Sequence, residues 1–247
     1  MNRIWRIGAV SYLNTRPLLL GLEQSGLLPQ IDLVKDYPAN IAQALVDGTI
    51  DMGLVPVAIT PYLKEAHFVS NYCIGAVGEV ASVCIFSQVP MEQIEKIYLD
   101  YQSRTSVQLA RILLEQYWKK EVVFLKAEEG YIESIQGTTA GVIIGDRALA
   151  ARPHFPFIYD LATAWVTHTQ LPFVFATWIA NKPIPAQFME AFDQANAYGL
   201  DRIKEVIAQI PRNEQVYDLH KYYTENISYQ LDAAKRKGLQ LFLESLQ

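Results

Sequence analysis

The chain has 247 residues, of which 51% are hydrophobic and 19% charged, so it can form one large domain or two compact lobes and is too apolar to be disordered. Its 21 Lys and Arg residues are outnumbered by 26 Asp and Glu residues. Because the one basic run is the short stretch at residues 235–237, the composition argues against nucleic-acid binding. Cys73 and Cys84 lie among apolar neighbours, which predicts buried thiols. Neither these cysteines nor the four histidines have the spacing of a metal site.

The first 90 residues alternate strand and helix patterns, which is typical of a parallel α/β sheet. Apolar runs predict strands at residues 4–10, 31–34, 50–55, 67–74 and 80–87. Pro17 and Pro38 each suit the first turn of a helix, and the first of these helices is expected to end near Gly26.

A second α/β set follows. Strands are predicted at residues 97–100, 122–125 and 141–144, with a helix at residues 103–118. Residues 173–180 form one more apolar strand, and everything after Pro185 is predicted to be helical.

This order of elements predicts an α/β protein of two lobes, joined by a double crossover and completed by a helical C-terminal segment. We expect residues 1–87 and 177–247 to form lobe one, and residues 88–176 to form lobe two. Type 2 periplasmic-binding-protein-like folds have this topology, and their ligand lies in the cleft between the lobes.

The first candidate site is the loop after the first predicted strand, which contains Ser11 and Asn14. Ligands of open α/β sheets usually bind at the carboxyl ends of strands. Polar side chains there, beside the N–H groups that begin a helix, can hold an anionic or hydroxylated ligand. The alternative is that Asn14 or Thr15 only caps the following helix.

Lobe two contains the second candidate site, at Ser103, Arg104, Thr105 and Ser106. These residues follow a strand and begin a helix, so hydroxyls, backbone N–H groups and one guanidinium converge. Such a group suits a carboxylate. Ordinary N-capping explains the hydroxyls equally well but leaves Arg104 unexplained.

Two further segments carry candidate ligand-binding residues. Ser82 stands alone in an apolar run and either faces the cleft or bonds a neighbouring carbonyl. Gly145 and Asp146 end a predicted strand, and Asp146 either caps the next helix or faces the ligand. No motif in the chain supplies an obvious strong general base.

Several of these segments share one family's motifs in the same order over nearly the whole chain. They are residues 10–18, 51–57, 74–75, 78–83, 99–100, 103–107, 144–149, 159–161, 165 and 171–176. Together they resemble the chorismate dehydratases of the futalosine route to menaquinone. One departure is visible, since Gln170 stands where that family usually has glycine.

The resemblance implies a binding-protein-like fold used as a cytoplasmic lyase, with Asn14 and Ser82 at the active-site positions. The implied reaction removes water from chorismate to give 3-[(1-carboxyvinyl)oxy]benzoate, so that the ring becomes aromatic. We expect Ser82 to assist as an acid, Asn14 to orient the substrate, and the substrate's own enolpyruvyl carboxylate to act as the base. No metal or cofactor is expected, and chorismate is the expected partner, with no nucleic acid and no membrane.

Two other functions fit the same fold. One is the synthase that forms 1,4-dihydroxy-6-naphthoate, whose histidine has no convincing match in this chain's motifs. The other is a solute-binding protein without catalysis. Residues 1–10 contain two arginines and no apolar core of the length that a secretory signal needs, so a cytoplasmic location is expected.

Overall fold

A computed structural model describes residues 3–246. Its first sheet has six strands, which pair in the order β11-β4-β10-β3-β1-β2 when all strands are numbered along the chain. The strands of this sheet are β1 (Trp5–Val10), β2 (Ile31–Asp36), β3 (Met52–Pro56), β4 (His67–Ala76), β10 (Phe173–Ala180) and β11 (Ser228–Gln230). Strand β1 is parallel to β2 and β3, whereas β10 is antiparallel to β3 and β4.

The second sheet has five strands in the order β7-β6-β8-β5-β9. They are β5 (Val83–Ser87), β6 (Lys96–Leu99), β7 (Val123–Lys126), β8 (Thr139–Ile144) and β9 (Phe157–Asp160). Strand β6 is parallel to both β7 and β8, as a strand–helix–strand connection requires.

Helices cover the faces of both sheets. They are α1 (Arg16–Gln24), α2 (Pro38–Val46), α3 (Thr105–Gln116), α4 (Gly145–Ala151), α5 (Leu161–Thr169), α6 (Ala186–Leu200), α7 (Ile203–Gln209), α8 (Leu219–Lys221) and α9 (Ala233–Glu244). No helix in the described part of the chain is both long and apolar enough to cross a membrane.

The chain crosses between the sheets twice, as the sequence predicts, but at different residues. Strand β5 lies wholly in the second sheet, where Val83 pairs with Ile144, so the first crossing precedes residue 83 rather than following residue 87. Strand β10 lies wholly in the first sheet from Phe173 onward, so residues 173–176 belong with lobe one. The expected boundary at 87/88 therefore assigns β5 to the wrong lobe, and the expected boundary at 176/177 divides β10.

Gln170 ends the helix that precedes the second crossing. This residue ends α5 with a φ of 60°, in the left-handed region that glycine adopts without strain. Its amide donates to the carbonyl of Val166, which closes the helix end. A glutamine therefore occupies a conformation in which glycine would be the easier residue.

Two predictions of local structure are wrong. The strand expected at residues 80–87 begins only at Val83, since residues 80–82 form a turn. The segment after Pro185 is not entirely helical, because β11 lies antiparallel to β4, with Ser228 opposite Gly75. Pairing with β11 satisfies backbone groups that an open sheet edge would leave to water.

Both cysteines are buried and unpaired, as the sequence predicts. Burial raises the pKa of Cys73 to about 12, so this thiol is a packing group and not a nucleophile at neutral pH.

Candidate functional site

A cavity of about 70 Å³ lies between the two sheets, at the ends of strands from both. The first lobe contributes apolar walls at Val10, Leu54 and Phe175, and the second contributes Val83 and Ile144. Polar groups are added by Tyr12, Asn14, Thr15, Ser103, Thr105 and Ser106. The cavity is thus an apolar slot with hydroxyls and one amide at its edge, as small-molecule sites commonly are.

Asn14 lies in a tight turn, Leu13–Thr15, between β1 and α1, and its half-buried side chain lines the cavity. The turn is fixed from both sides. The Thr15 hydroxyl donates to the carbonyl of Tyr12 at 2.7 Å, and the Tyr229 hydroxyl donates to the carbonyl of Asn14 at 2.8 Å. The backbone of Asn14 is therefore fixed beside the cavity, where the sequence predicts a site residue.

The start of α3, together with Ser103 two residues before it, supplies three hydroxyls to the opposite wall. Ser103 Oγ accepts a hydrogen bond from the Ser106 amide at 3.0 Å, so Ser103 acts as a cap while still facing the cavity. Thr105 Oγ1 accepts from the Ala58 amide of the first lobe at 3.1 Å. Together with the positive end of the helix dipole, this turn provides a suitable environment for a carboxylate.

Four of the nine predicted site residues do not line the cavity, and two of these, Arg104 and Ser11, line separate grooves. Arg104 extends across the outside of the cleft, where its guanidinium donates to Gln43 Oε1 at 3.1 Å, and it lines a separate groove with Tyr62. Ser11 is exposed and lines another groove beside Glu23. Neither residue lines the cavity between the sheets.

Ser82 is fully buried and does not itself line the cavity, although its neighbour Val83 does. Its amide donates to the carbonyl of Val80 at 2.8 Å around Ala81, which has a φ of 62°. This is a strained three-residue turn. The carboxylate of Asp160 stabilises it by accepting from the amides of Val80 and Ala81, at 3.1 and 2.8 Å.

The amide of Gly145 donates to the carbonyl of Ser82 at 2.8 Å, which joins this turn to the cavity wall. Gly145 has a φ of 63°, and a side chain there would meet the ring of Tyr12 at 3.1 Å. Glycine is thus favoured both by the backbone conformation and by the close approach of Tyr12.

Asp146 does not face the cavity; it links the lobes. Its carboxylate accepts from the amide of Leu13 at 3.0 Å, next to Asn14. Burial raises the pKa of Asp146 to about 6, while the bond from Leu13 opposes that rise. The sequence predicts that Asp146 either caps a helix or contacts the ligand, whereas in the structure its carboxylate bonds the other lobe.

The raised pKa of Asp146 predicts a specific pH dependence of stability. The folded protein binds the proton of Asp146 more tightly than the unfolded chain does. The stabilisation that this proton provides is therefore complete below pH ~4 and is lost as the pH rises through about 6. We expect the free energy of unfolding of the wild type to fall relative to Asp146→Asn over this range. The fall should reach ~3 kcal/mol, at ~1.4 kcal/mol for each pKa unit. Urea titrations at several pH values measure it, and parallel curves for the two proteins would contradict it.

A buried ion pair beside the cavity was not predicted. The guanidinium of Arg147 lies 2.8 Å from the Asp100 carboxylate and also donates to Gln102 Oε1, which accepts from the hydroxyl of Tyr12. Burial raises the pKa of Tyr12, so its hydroxyl remains a donor. This chain of contacts fastens the two lobes together. No local motif could reveal this chain of contacts, because Tyr12 and Arg147 lie 135 residues apart in the sequence.

The wall of the cavity contains no carboxylate, imidazole or amine among residues 3–246. Within the same residues, no group of three or more His, Cys, Asp or Glu side chains could hold a metal ion. The cavity can therefore bind and orient a polar ligand through hydroxyls, an amide and a helix terminus, but it offers no strong base of its own.

Comparison with known proteins identifies relatives over the whole chain. A family model described as menaquinone biosynthesis matches residues 5–247. The chorismate dehydratase of Thermus thermophilus is 29% identical over 267 residues, covering 99% of this chain and 96% of that protein.

Solved structures share the fold. Protein AF1704 from Archaeoglobus fulgidus has a TM-score of 0.71 at 12% identity, covering 98% of this chain and 96% of its own. The alkanesulfonate-binding protein of Xanthomonas axonopodis pv. citri, bound to MOPS, has a TM-score of 0.62 at 16% identity. The match covers 100% of this chain and 94% of that protein. A Candida albicans protein described as having the generic periplasmic binding protein fold has a TM-score of 0.64 at 12% identity. The match covers 97% of this chain and 90% of that protein. The predicted fold class is thereby confirmed.

Proposed function

The chain belongs to the menaquinone biosynthesis family, and from this we propose that it is a lyase that dehydrates chorismate to 3-[(1-carboxyvinyl)oxy]benzoate. The observation that carries the proposal is the similarity to a chorismate dehydratase along 99% of the chain. We also propose a cytoplasmic location, which the composition of residues 1–10 favours, and the futalosine route, which the family resemblance implies.

We place the substrate in the cavity between the lobes. Chorismate carries two carboxylates, and the first turn of α3, with Ser103, Thr105 and Ser106, suits one of them. Asn14 lines the same cavity from the other lobe and suits the ring hydroxyl or the second carboxylate. The apolar walls suit the ring. Arg104 has no part in this arrangement, since it bonds Gln43 outside the cavity.

The cavity must enlarge before it can hold the substrate, because about 70 Å³ is far below the ~300 Å³ of even a small ligand pocket. Parting of the lobes would break the bonds of Leu13 to Asp146 and of Ala58 to Thr105. Closure of the lobes over the substrate would exclude water.

The chemistry needs little from the protein, since aromatisation of the ring drives it. The enolpyruvyl carboxylate of the substrate takes the proton from C3, the electrons of that bond enter the ring, and the C4–O bond breaks. Ser82, which lies behind the cavity wall in this structure, must reach the substrate as the cavity enlarges. The leaving hydroxyl then takes a proton from Ser82 and departs as water. The carboxylic acid formed on the substrate then returns a proton to Ser82, so the net change is the loss of one water. Each positioned donor typically contributes ~2–4 kcal/mol to such a step.

Incubation of the purified protein with chorismate and a chelator tests this proposal. We expect an aromatic product lighter by one water that retains its enolpyruvyl group. Release of pyruvate would indicate a different lyase, and binding without turnover would indicate a solute-binding protein. Consumption of a futalosine-derived cyclic compound with no effect on chorismate would favour the 1,4-dihydroxy-6-naphthoate synthase.

A further inference from the structure

The C-terminal segment places a tyrosine hydroxyl against Ser82. Tyr222 begins a wide helical turn, Tyr222–Asn226, that directly follows α8. Its side chain is fully buried, and its hydroxyl donates to Ser82 Oγ at 2.8 Å. Turns of this π type occur frequently at functional sites.

The same turn also holds the loop that carries Ser82. Asn226, at the end of the turn, donates from Nδ2 to the carbonyl of Glu79 at 3.0 Å. The turn itself is anchored by Asp218, whose carboxylate accepts from the amide of Lys221 at 3.0 Å. One short segment therefore fixes both the backbone before Ser82 and the hydroxyl of Ser82.

The Tyr222 hydroxyl is a donor and not an anion at neutral pH. Burial raises its pKa well above the ordinary value, and the hydrogen bonds with Ser82 and Asn14 offset this only in part. A neutral phenol has one proton to donate, and here Ser82 Oγ receives it. Because a lone pair of Ser82 is occupied in this way, the proton of Ser82 is left free to point elsewhere.

We propose that Tyr222 is a positioning residue for the dehydration. Its hydroxyl directs the Ser82 proton towards the leaving hydroxyl of the substrate and stabilises the negative charge that builds on Oγ as that proton leaves. Tyr222 touches no substrate atom and transfers no proton. This inference rests on the proposed function and on the role given there to Ser82.

Tyr222→Phe tests the inference, because it removes one hydroxyl and keeps the ring. We expect kcat to fall by about ten-fold or more, since preorganised donors of this kind have large effects, and KM to change by less than about two-fold. The matched control is Tyr223→Phe. Tyr223 is the next residue of the same turn, is also buried, and its hydroxyl has no partner among residues 3–246. Its loss should leave kcat unchanged.

A double-mutant cycle separates positioning from general support of the fold. If Tyr222 acts through Ser82, Tyr222→Phe should have no further effect on kcat once Ser82→Ala is present. An equal loss in both backgrounds, or an unchanged kcat in Tyr222→Phe alone, would overturn the inference while leaving the proposed function intact. A wild-type protein that does not dehydrate chorismate would overturn the proposed function, and this inference with it.

Discussion

Ser82→Ala is expected to lower kcat about 10²–10³-fold, the usual effect of removing one positioned donor in an active site. The loss of stability should be smaller but measurable. The substitution leaves the buried hydroxyl of Tyr222 without its acceptor, which costs about 1–3 kcal/mol. Asn14→Ala should lower kcat to a similar degree with little change in stability, since Asn14 is only half-buried. Steady-state kinetics and chemical denaturation measure these effects separately.

Ser87→Ala is the matched control for Ser82→Ala. Ser87 is equally buried and ends strand β5, and its hydroxyl accepts from the amide of Val89 at 3.1 Å. Its loss should reduce stability to a comparable degree while kcat stays within about two-fold of the wild type. If both serine variants lost activity equally, Ser82 would be a structural residue and the proposed acid would have to be sought elsewhere.

Gly145→Ala is expected to damage both stability and activity. The left-handed backbone, with a φ of 63°, costs a side-chain-bearing residue about 1–2 kcal/mol. The new methyl group would also press on the Tyr12 ring at 3.1 Å, and this ring lines a cavity of only about 70 Å³. We therefore expect kcat/KM for chorismate to fall by about ten-fold or more.

Gly137→Ala separates these two effects. Gly137 has a similar φ of 55°, but a side chain there would meet nothing within 4 Å. It should lose the same ~1–2 kcal/mol of stability and keep its full kcat/KM. If Gly145→Ala retained activity and Gly137→Ala lost it, the contact between residue 145 and Tyr12 would not control activity.

The sequence predicts the architecture because apolar periodicity and strand–helix alternation are local signals. It misplaces the lobe boundaries because which sheet a strand joins depends on distant partners: Val83 pairs with Ile144, and Cys84 pairs with Asp160. No pattern within residues 80–87 distinguishes one sheet from the other.

Only those parts of the site that have a local signal can be predicted from the sequence. Asn14, Ser103 and Gly145 follow strands of the two sheets, and strand ends are where ligands of such folds bind. The position of Arg104 in the sequence does not fix the direction of its side chain, and consecutive residues at a helix start point to different sides. Tyr222 lies 140 residues from Ser82, so only the folded chain brings the two together.

The location of the reaction is tested most directly by a crystal structure of Ser82→Ala soaked with chorismate. We expect the ring to lie in the cleft between the two sheets, with one carboxylate at the first turn of α3 and Asn14 on the opposite side. Chorismate found instead in a surface groove, such as the space of about 640 Å³ beside Trp5 and Phe188, with the cleft empty, would contradict it.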